Sequence, residues 1–282
     1  MAIALAFFFL LLAMVLHELG HALEMRAAGI RIERLGIGVP LPPRILIRSN
    51  CLRRFFGARF RIMLSPWLLG AFVKPYGDQG IETMGISRRS ELAIYGAGPI
   101  ANIALMFLFS GVSLLLLYDP ASYVQTTYFF RIALEGYVWI IALGFFAAAL
   151  ATWWFRRWIS TYLLLPLGLA MLAFTISVFA NMTFSEATQS SGGIVLISEI
   201  ASESQTIAGA VRFGAIINFA LGAMNLLPIL PLDGGRIMSV FVRSIAPRAE
   251  VMVQKFGIIA FAALIVFCLY ADGLRLVGYF TG

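Results

Sequence analysis

Charge is what this sequence has least of: 12% of its 282 residues are Asp, Glu, Lys or Arg, against 61% hydrophobic ones. Soluble domains carry roughly 25% charged residues, and a chain with half that share cannot cover itself with polar surface in water. The soluble globular class is excluded, and an α-helical polytopic membrane protein is expected. Cysteine is almost missing as well. Cys51 and Cys268 are far apart and neither belongs to a CxxC pair, which excludes a cysteine zinc site and leaves no disulfide framework. Acidic residues are outnumbered, giving a net charge of +7. The cations are gathered in a few connecting segments, an arrangement that suits control of membrane topology. The lipid bilayer is therefore the expected partner, and no nucleic acid.

What is there in abundance is apolar runs. A spanning helix needs about 20 mostly apolar residues, and six candidates lie at roughly 3–28, 90–117, 132–153, 159–180, 206–230 and 253–271. The first has no basic segment before it and runs into HELGHAL instead of a small-residue cleavage site, so it reads as a retained helix rather than a signal peptide. The connections 24–89, 154–158 and 231–255 hold 12, 2 and 4 of the 21 Lys and Arg residues. Cytoplasmic loops are the basic ones. Six spans place both termini on one side, so both are expected outside, with the HELGH end of the first helix toward the cytoplasm.

Segment 29–89 is too long for a plain loop. Ile30-Arg31-Ile32-Glu33 and Arg59-Phe60-Arg61-Ile62 alternate apolar and polar residues, the period of a half-buried strand. Gly36, Gly38, Pro40, Pro42 and Pro43 read as turn punctuation. Leu64 to Val73 is apolar but too short to span, as expected of a re-entrant or interfacial element. A small membrane-associated β-sheet or re-entrant loop on the cytoplasmic side is expected from 29–89. Farther on, Asn181 to Gly193 reads as a loop and Ile194 to Ser204 as a short strand or amphipathic interfacial helix. The whole chain, 1–282, reads as one membrane-embedded domain with a core at 1–117 and 206–271 and an extra apolar pair at 132–180.

The chemistry is concentrated in the first helix. His17-Glu18-Leu19-Gly20-His21 is an HExxH pattern, and these are the only two histidines in the chain. On a helix, positions 17 and 21 lie one turn apart on one face, so both imidazoles can grip one ion. Glu18 projects beside them, within reach of a proton on a metal-activated water. An ionisable residue inside a membrane helix costs a few kcal/mol without a partner, so Glu18 there defaults to a functional reading. Two histidines and a water leave tetrahedral zinc one protein ligand short. With no histidine left, a carboxylate must supply it. Asp233 is the best candidate, at the end of Asn225-Leu-Leu-Pro-Ile-Leu-Pro-Leu-Asp-Gly-Gly. Pro228 and Pro231 break that helix, and Gly234-Gly235 permit a tight turn.

HExxH on the first helix, together with Asn225-x-x-Pro228 and Leu232-Asp233-Gly234, resembles the site-2 protease family of intramembrane zinc metalloproteases. Gly70-Ala-Phe-Val-Lys-Pro-Tyr-Gly-Asp is similar to the GGYVK-type loop of its bacterial members, with Ala71 and Phe72 in place of Gly and Tyr. Ala97-Gly-Pro-Ile-Ala-Asn102 is similar to the start of their next helix. The resemblance implies one Zn2+ per chain held by His17, His21 and Asp233. It implies Glu18 as general base and later acid, and Asn225 steadying the substrate backbone or the developing oxyanion. Gly70, Ala71, Phe72, Val73 and Lys74 would offer a strand edge to an unwound transmembrane substrate. Gly98, Pro99 and Asn102 are assigned to structure rather than catalysis, since small residues permit close helix packing and Pro starts a helix, and Gly136, Trp153, Trp154, Arg156 and Arg157 to packing and interfacial anchoring. The PDZ or CBS domains that many relatives carry have no counterpart in this sequence.

The resemblance implies a bacterial inner-membrane, multi-pass enzyme that cleaves transmembrane proteins or leftover signal peptides. The other readings are a different membrane zinc hydrolase, such as a prenyl-protein protease with a Glu as third ligand, a zinc transporter, or a catalytically silent membrane adaptor.

Overall fold

In a hydrocarbon environment every backbone N–H and C=O must find its partner inside the chain, which leaves helices as the economical answer for long apolar runs. The computed structural model of the protein describes residues 2–67, 70–77, 81, 84–117, 128–180 and 206–281. Its elements are α1 (Ala2–Ala27), β1 (Ile32–Ile37), β2 (Ile45–Ile47), α2 (Asn50–Phe56), β3 (Arg61–Leu64), β4 (Ala71–Pro75), α3 (Arg88–Leu117) and α4 (Tyr128–Trp154), then α5 (Arg156–Tyr162), α6 (Leu164–Ala180), α7 (Ile207–Leu226), α8 (Asp233–Ile245) and α9 (Pro247–Thr281). The second half of the 181–205 reading, the strand or interfacial helix at 194–204, lies outside the described residues, as does its loop.

Among the described residues, four helices are long and apolar enough to cross a membrane, at Phe8–Ala27, Arg88–Leu116, Gly209–Leu226 and Pro247–Val277. A fifth crossing results if Ile140–Trp154 and Arg156–Tyr162, bent by 70°, count as one span. The apolar run at 159–180 is divided between the bent piece and α6, whose apolar part is the shorter Leu164–Ser177. The protein is thus a membrane protein with four to five candidate spans among the described residues. Helix ends follow proline chemistry. α7 stops at Leu226, short of 230, because Pro228 drives Leu227 into an extended conformation (φ −58°, ψ 132°). α9 starts at Pro247, ahead of 253, since a proline fits the first helical position, where no N–H partner is needed.

Segment 29–89 forms a four-stranded mixed sheet in the order β2-β3-β1-β4. β1 runs parallel to β3 and antiparallel to β4, with Leu35 opposite Val73 and Gly36 opposite Phe72. β4 therefore lies at one edge, within the stretch expected to be re-entrant. Gly36 is not a turn residue: it sits inside β1, and a Cβ there would collide with the Phe72 ring across the pair. Ile32, Leu35, Phe56 and Phe60 share one core with Met25 of α1 and Leu92 of α3. That core fixes the sheet against the end of α1 that follows HELGH.

Two helices escaped the sequence reading. α2 is a short turn capped by Ser49, whose side chain accepts from the Leu52 N–H. α8 occupies a segment taken as a connection, yet Ile237 and Val240 are buried and Phe241 packs beside them, the three-and-four spacing of an amphipathic helix.

Candidate active site

The last three turns of α1 carry His17, Glu18 and His21, and the first turn of α8 carries Asp233. All three prospective ligands are buried, at 6%, 6% and 9% exposure. His17 Nε2 lies 3.0 Å from Asp233 Oδ2, His21 Nε2 lies 3.2 Å from the same oxygen, and the two Nε2 atoms are 3.2 Å apart. A tetrahedral ion with bonds of ~2.0–2.1 Å holds its ligand atoms roughly 3.3 Å from one another. The three donors fit such an ion after a slight opening, and they leave one corner free. Burial raises the Asp233 carboxyl, but while no cation is bound a protonated His21 beside it, with hydrogen bonds from the imidazoles, overcomes that and holds it well below the usual carboxylate range. A bound cation would take the place of the protons on Nε2, because metal binding releases ligand protons. The place of Asp233 in the first turn of α8 also suits negative charge.

The outer nitrogens of the two imidazoles decide which way the inner ones serve. His21 Nδ1 is 2.6 Å from the Ile94 carbonyl oxygen, which can only accept, so Nδ1 carries the proton. His17 Nδ1 is 2.5 Å from Asn102 Oδ1. The orientation of that amide is itself fixed. Asn102 Nδ2 donates to the Ala13 carbonyl at 3.3 Å and to Asn218 Oδ1 at 2.9 Å, and Asn218 in turn donates to the Gly214 carbonyl. The chain of donors runs one way, so Asn102 must present its oxygen to His17. Both Nε2 lone pairs are left facing Asp233, the orientation that outer partners impose on metal-ligating histidines. Asn102, assigned to structure rather than catalysis, is fully buried and orients His17. Gly98 clears space, because a Cβ there would run into both Nε2 atoms.

Gly234 and Gly235 are reassigned. Neither has a positive φ. They lie in the first turn of α8, where a Cβ would meet the backbone of Leu226 to Leu230. Close approach, rather than turn conformation, requires glycine, and it lets Asp233 reach α1 from 216 positions away.

A cavity of about 510 Å³ opens on this cluster. Glu18 lines it, and the Val73 backbone N–H of β4 is directed at the Glu18 carboxyl. Ala71, Phe72, Val73 and Lys74 form one wall, while Gly70 lies just before it with φ +127°. Lys74 is held 3.3 Å from Glu33. Asn225 stands on the wall at the end of α7. One N–H of its amide goes to the Leu221 carbonyl at 3.0 Å, and the amide nitrogen has a second to offer. The structure thus gathers every site residue expected from sequence around one cavity, with Gly70 at its border.

Sequence reasoning missed a second buried cluster one turn beyond His21. Glu24, 1% exposed, meets Arg156 Nε at 2.6 Å and Arg157 Nε at 2.9 Å. The two arginines, expected as packing and interfacial anchors, are also ion-pair partners of Glu24, and they hold the bend between α4 and α5 against α1. The signal available was a lone carboxylate at position 24 opposite an Arg-Arg pair. Nothing local joined them.

The sequence pattern of peptidase family M50 matches residues 5–270. The chain belongs to that family, the site-2 proteases. It is 32% identical over 94 residues to a provisionally named zinc metalloprotease of Campylobacter jejuni subsp. jejuni, covering 31% of this chain and 26% of that protein. It is 28% identical over 110 residues to a second provisionally named zinc metalloprotease, from Ralstonia nicotianae, covering 36% of this chain and 24% of that one. The matched stretch spans about a quarter of the length of each of these curated relatives.

Proposed function

We propose that this M50 chain is an intramembrane zinc metalloendopeptidase that hydrolyses peptide bonds in transmembrane segments of membrane proteins. One observation carries the reading: three buried donor atoms from α1 and α8 converge at 3.0–3.2 Å beside Glu18, in a cavity walled by an edge strand. His17, His21 and Asp233 would hold one zinc ion. When bound, zinc polarises the scissile carbonyl and acidifies water. Glu18 takes the proton of the attacking water and later returns it to the leaving amine. Asn225 offers its remaining N–H to the substrate carbonyl oxygen as negative charge grows there.

A helical substrate hides its scissile carbonyl in intrahelical hydrogen bonds, so it must unwind before attack. Gly70 to Lys74 then receives the extended segment along β4, by edge pairing. The substrates are membrane proteins or leftover signal peptides in the cell's inner membrane. The basic segments that end α1 and α4 meet through Glu24, Arg156 and Arg157, which supports placing the site toward the cytoplasmic side. With α6 as a sixth crossing, both termini lie outside.

The test compares wild type with Glu18→Gln, both purified in detergent, for bound zinc and for cleavage of a single-pass transmembrane substrate. One zinc per chain in both proteins is expected, with cleavage lowered about 10⁴-fold by the substitution. Equal cleavage by the two proteins, or no zinc in either, overturns the proposal.

A further inference from the structure

Arg236 occupies the cavity wall without a task in the scheme above. It lies one turn after Asp233 on α8, so the two side chains leave the helix on neighbouring positions. Asp233 is buried and committed to the histidines, whereas Arg236 is exposed into the cavity. The guanidinium rests over the Tyr95 ring, 5.6 Å from its centre. Arg236 makes no ion pair among the described residues. The other cation on the wall, Lys74, is engaged by Glu33.

β4 packs on β1 and α1, while α8 packs on α3, α6, α7 and α9. Both β4 and Arg236 line the cavity, on elements that pack against different neighbours. A peptide paired with β4 satisfies only the groups on one of its edges, because successive residues of a strand point their N–H and C=O groups alternately to either side. The carbonyls on the far edge, released by unwinding the substrate helix, are left facing α8. Unpaired carbonyls in so apolar a setting are costly. A guanidinium carries five N–H donors in a planar fork and no acceptor, which suits two neighbouring carbonyl oxygens better than an ammonium does.

We propose that Arg236 is a substrate-binding residue that donates to the backbone carbonyls on the edge of the bound peptide facing away from β4. α8 would then supply both a metal ligand and one half of a two-sided grip on an unwound segment. Because the partner is backbone, the contribution is independent of substrate side chains. The inference rests on the protease reading.

The experiment uses zinc-loaded Glu18→Gln protein in detergent and a fluorescently labelled peptide of a transmembrane segment that wild type cleaves. Adding Arg236→Ala should weaken peptide binding about tenfold, the scale of one charged hydrogen bond, and Arg236→Lys should restore part of it. The same ratio is expected for a peptide whose acidic side chains are changed to amides, with bound zinc and the thermal midpoint unaltered. Unchanged affinity overturns the proposal. So does a loss confined to the acidic peptide, which would make Arg236 a side-chain reader, or a loss of zinc, which would make it a support for Asp233. If wild type cleaves no transmembrane peptide, the protease reading itself has failed, which is a separate result.

Discussion

Two buried polar clusters sit on α1 a few residues apart, and they are built on opposite principles. In the first, His17, His21 and Asp233 direct lone pairs and a carboxylate oxygen at one point. Every other polar contact of the two imidazoles serves to keep those lone pairs there. In the second, the Glu24 carboxylate is matched oxygen by oxygen by Arg156 and Arg157. The first arrangement is short of positive charge and calls for a cation. The second is neutralised from within and holds two elements together. Burial and ionisable side chains are common to both, so neither marks a metal centre. What marks it is convergence of acceptors without a protein cation.

That contrast can be broken at three points. Asp233→Ala removes one of three converging donors. Zinc affinity should fall well beyond the roughly 100-fold upper end typical of changes to outer partners, read by metal analysis after dialysis against a graded chelator. Retained zinc would mean that another carboxylate completes the site. Glu24→Ala leaves two guanidiniums against the bundle without their counterion. The cost should be about 3 kcal/mol of stability, at the low end for a broken buried pair because Arg157 is half exposed. It should appear as a lower thermal midpoint in detergent with zinc stoichiometry intact, and loss of zinc at temperatures where the fold persists would erase the distinction between the clusters. Asn102→Ala is the mildest of the three. It frees His17 to turn or change tautomer, so zinc should bind about 10- to 100-fold more weakly. An unchanged affinity would show that Asp233 and His21 hold His17 without help.

The sheet teaches a related lesson about legibility. Alternation at 30–33 and 59–62 announced strands, and β1 and β3 lie there or begin within a residue or two. The same alternation said nothing of strand order, so it could not reveal that β4 would end at an edge facing Glu18. Similarly, α8 was passed over because its 13 residues sit between a proline-broken helix and a long apolar one, and its apolar face becomes meaningful only against α3 and α7.

By itself the sequence determined the membrane setting, the HExxH pattern on a helix, and Asp233 as the best candidate for the carboxylate in a ligand set lacking a third histidine. These follow from composition, from helical periodicity and from the coordination needs of an ion, all of which are local or can be counted along the chain. Tertiary structure alone decided that Asn102 and Asn218 fix the His17 ring, that Arg156 and Arg157 close on Glu24, and that Arg236 and β4 line one cavity. Those pairings join residues 85, 116 and 132 or 133 positions apart where a hydrogen bond defines them. No periodic pattern records such distances. They exist only once helices forced to satisfy their own backbones in lipid have packed, and each buried polar side chain has had to find its partner on a neighbour.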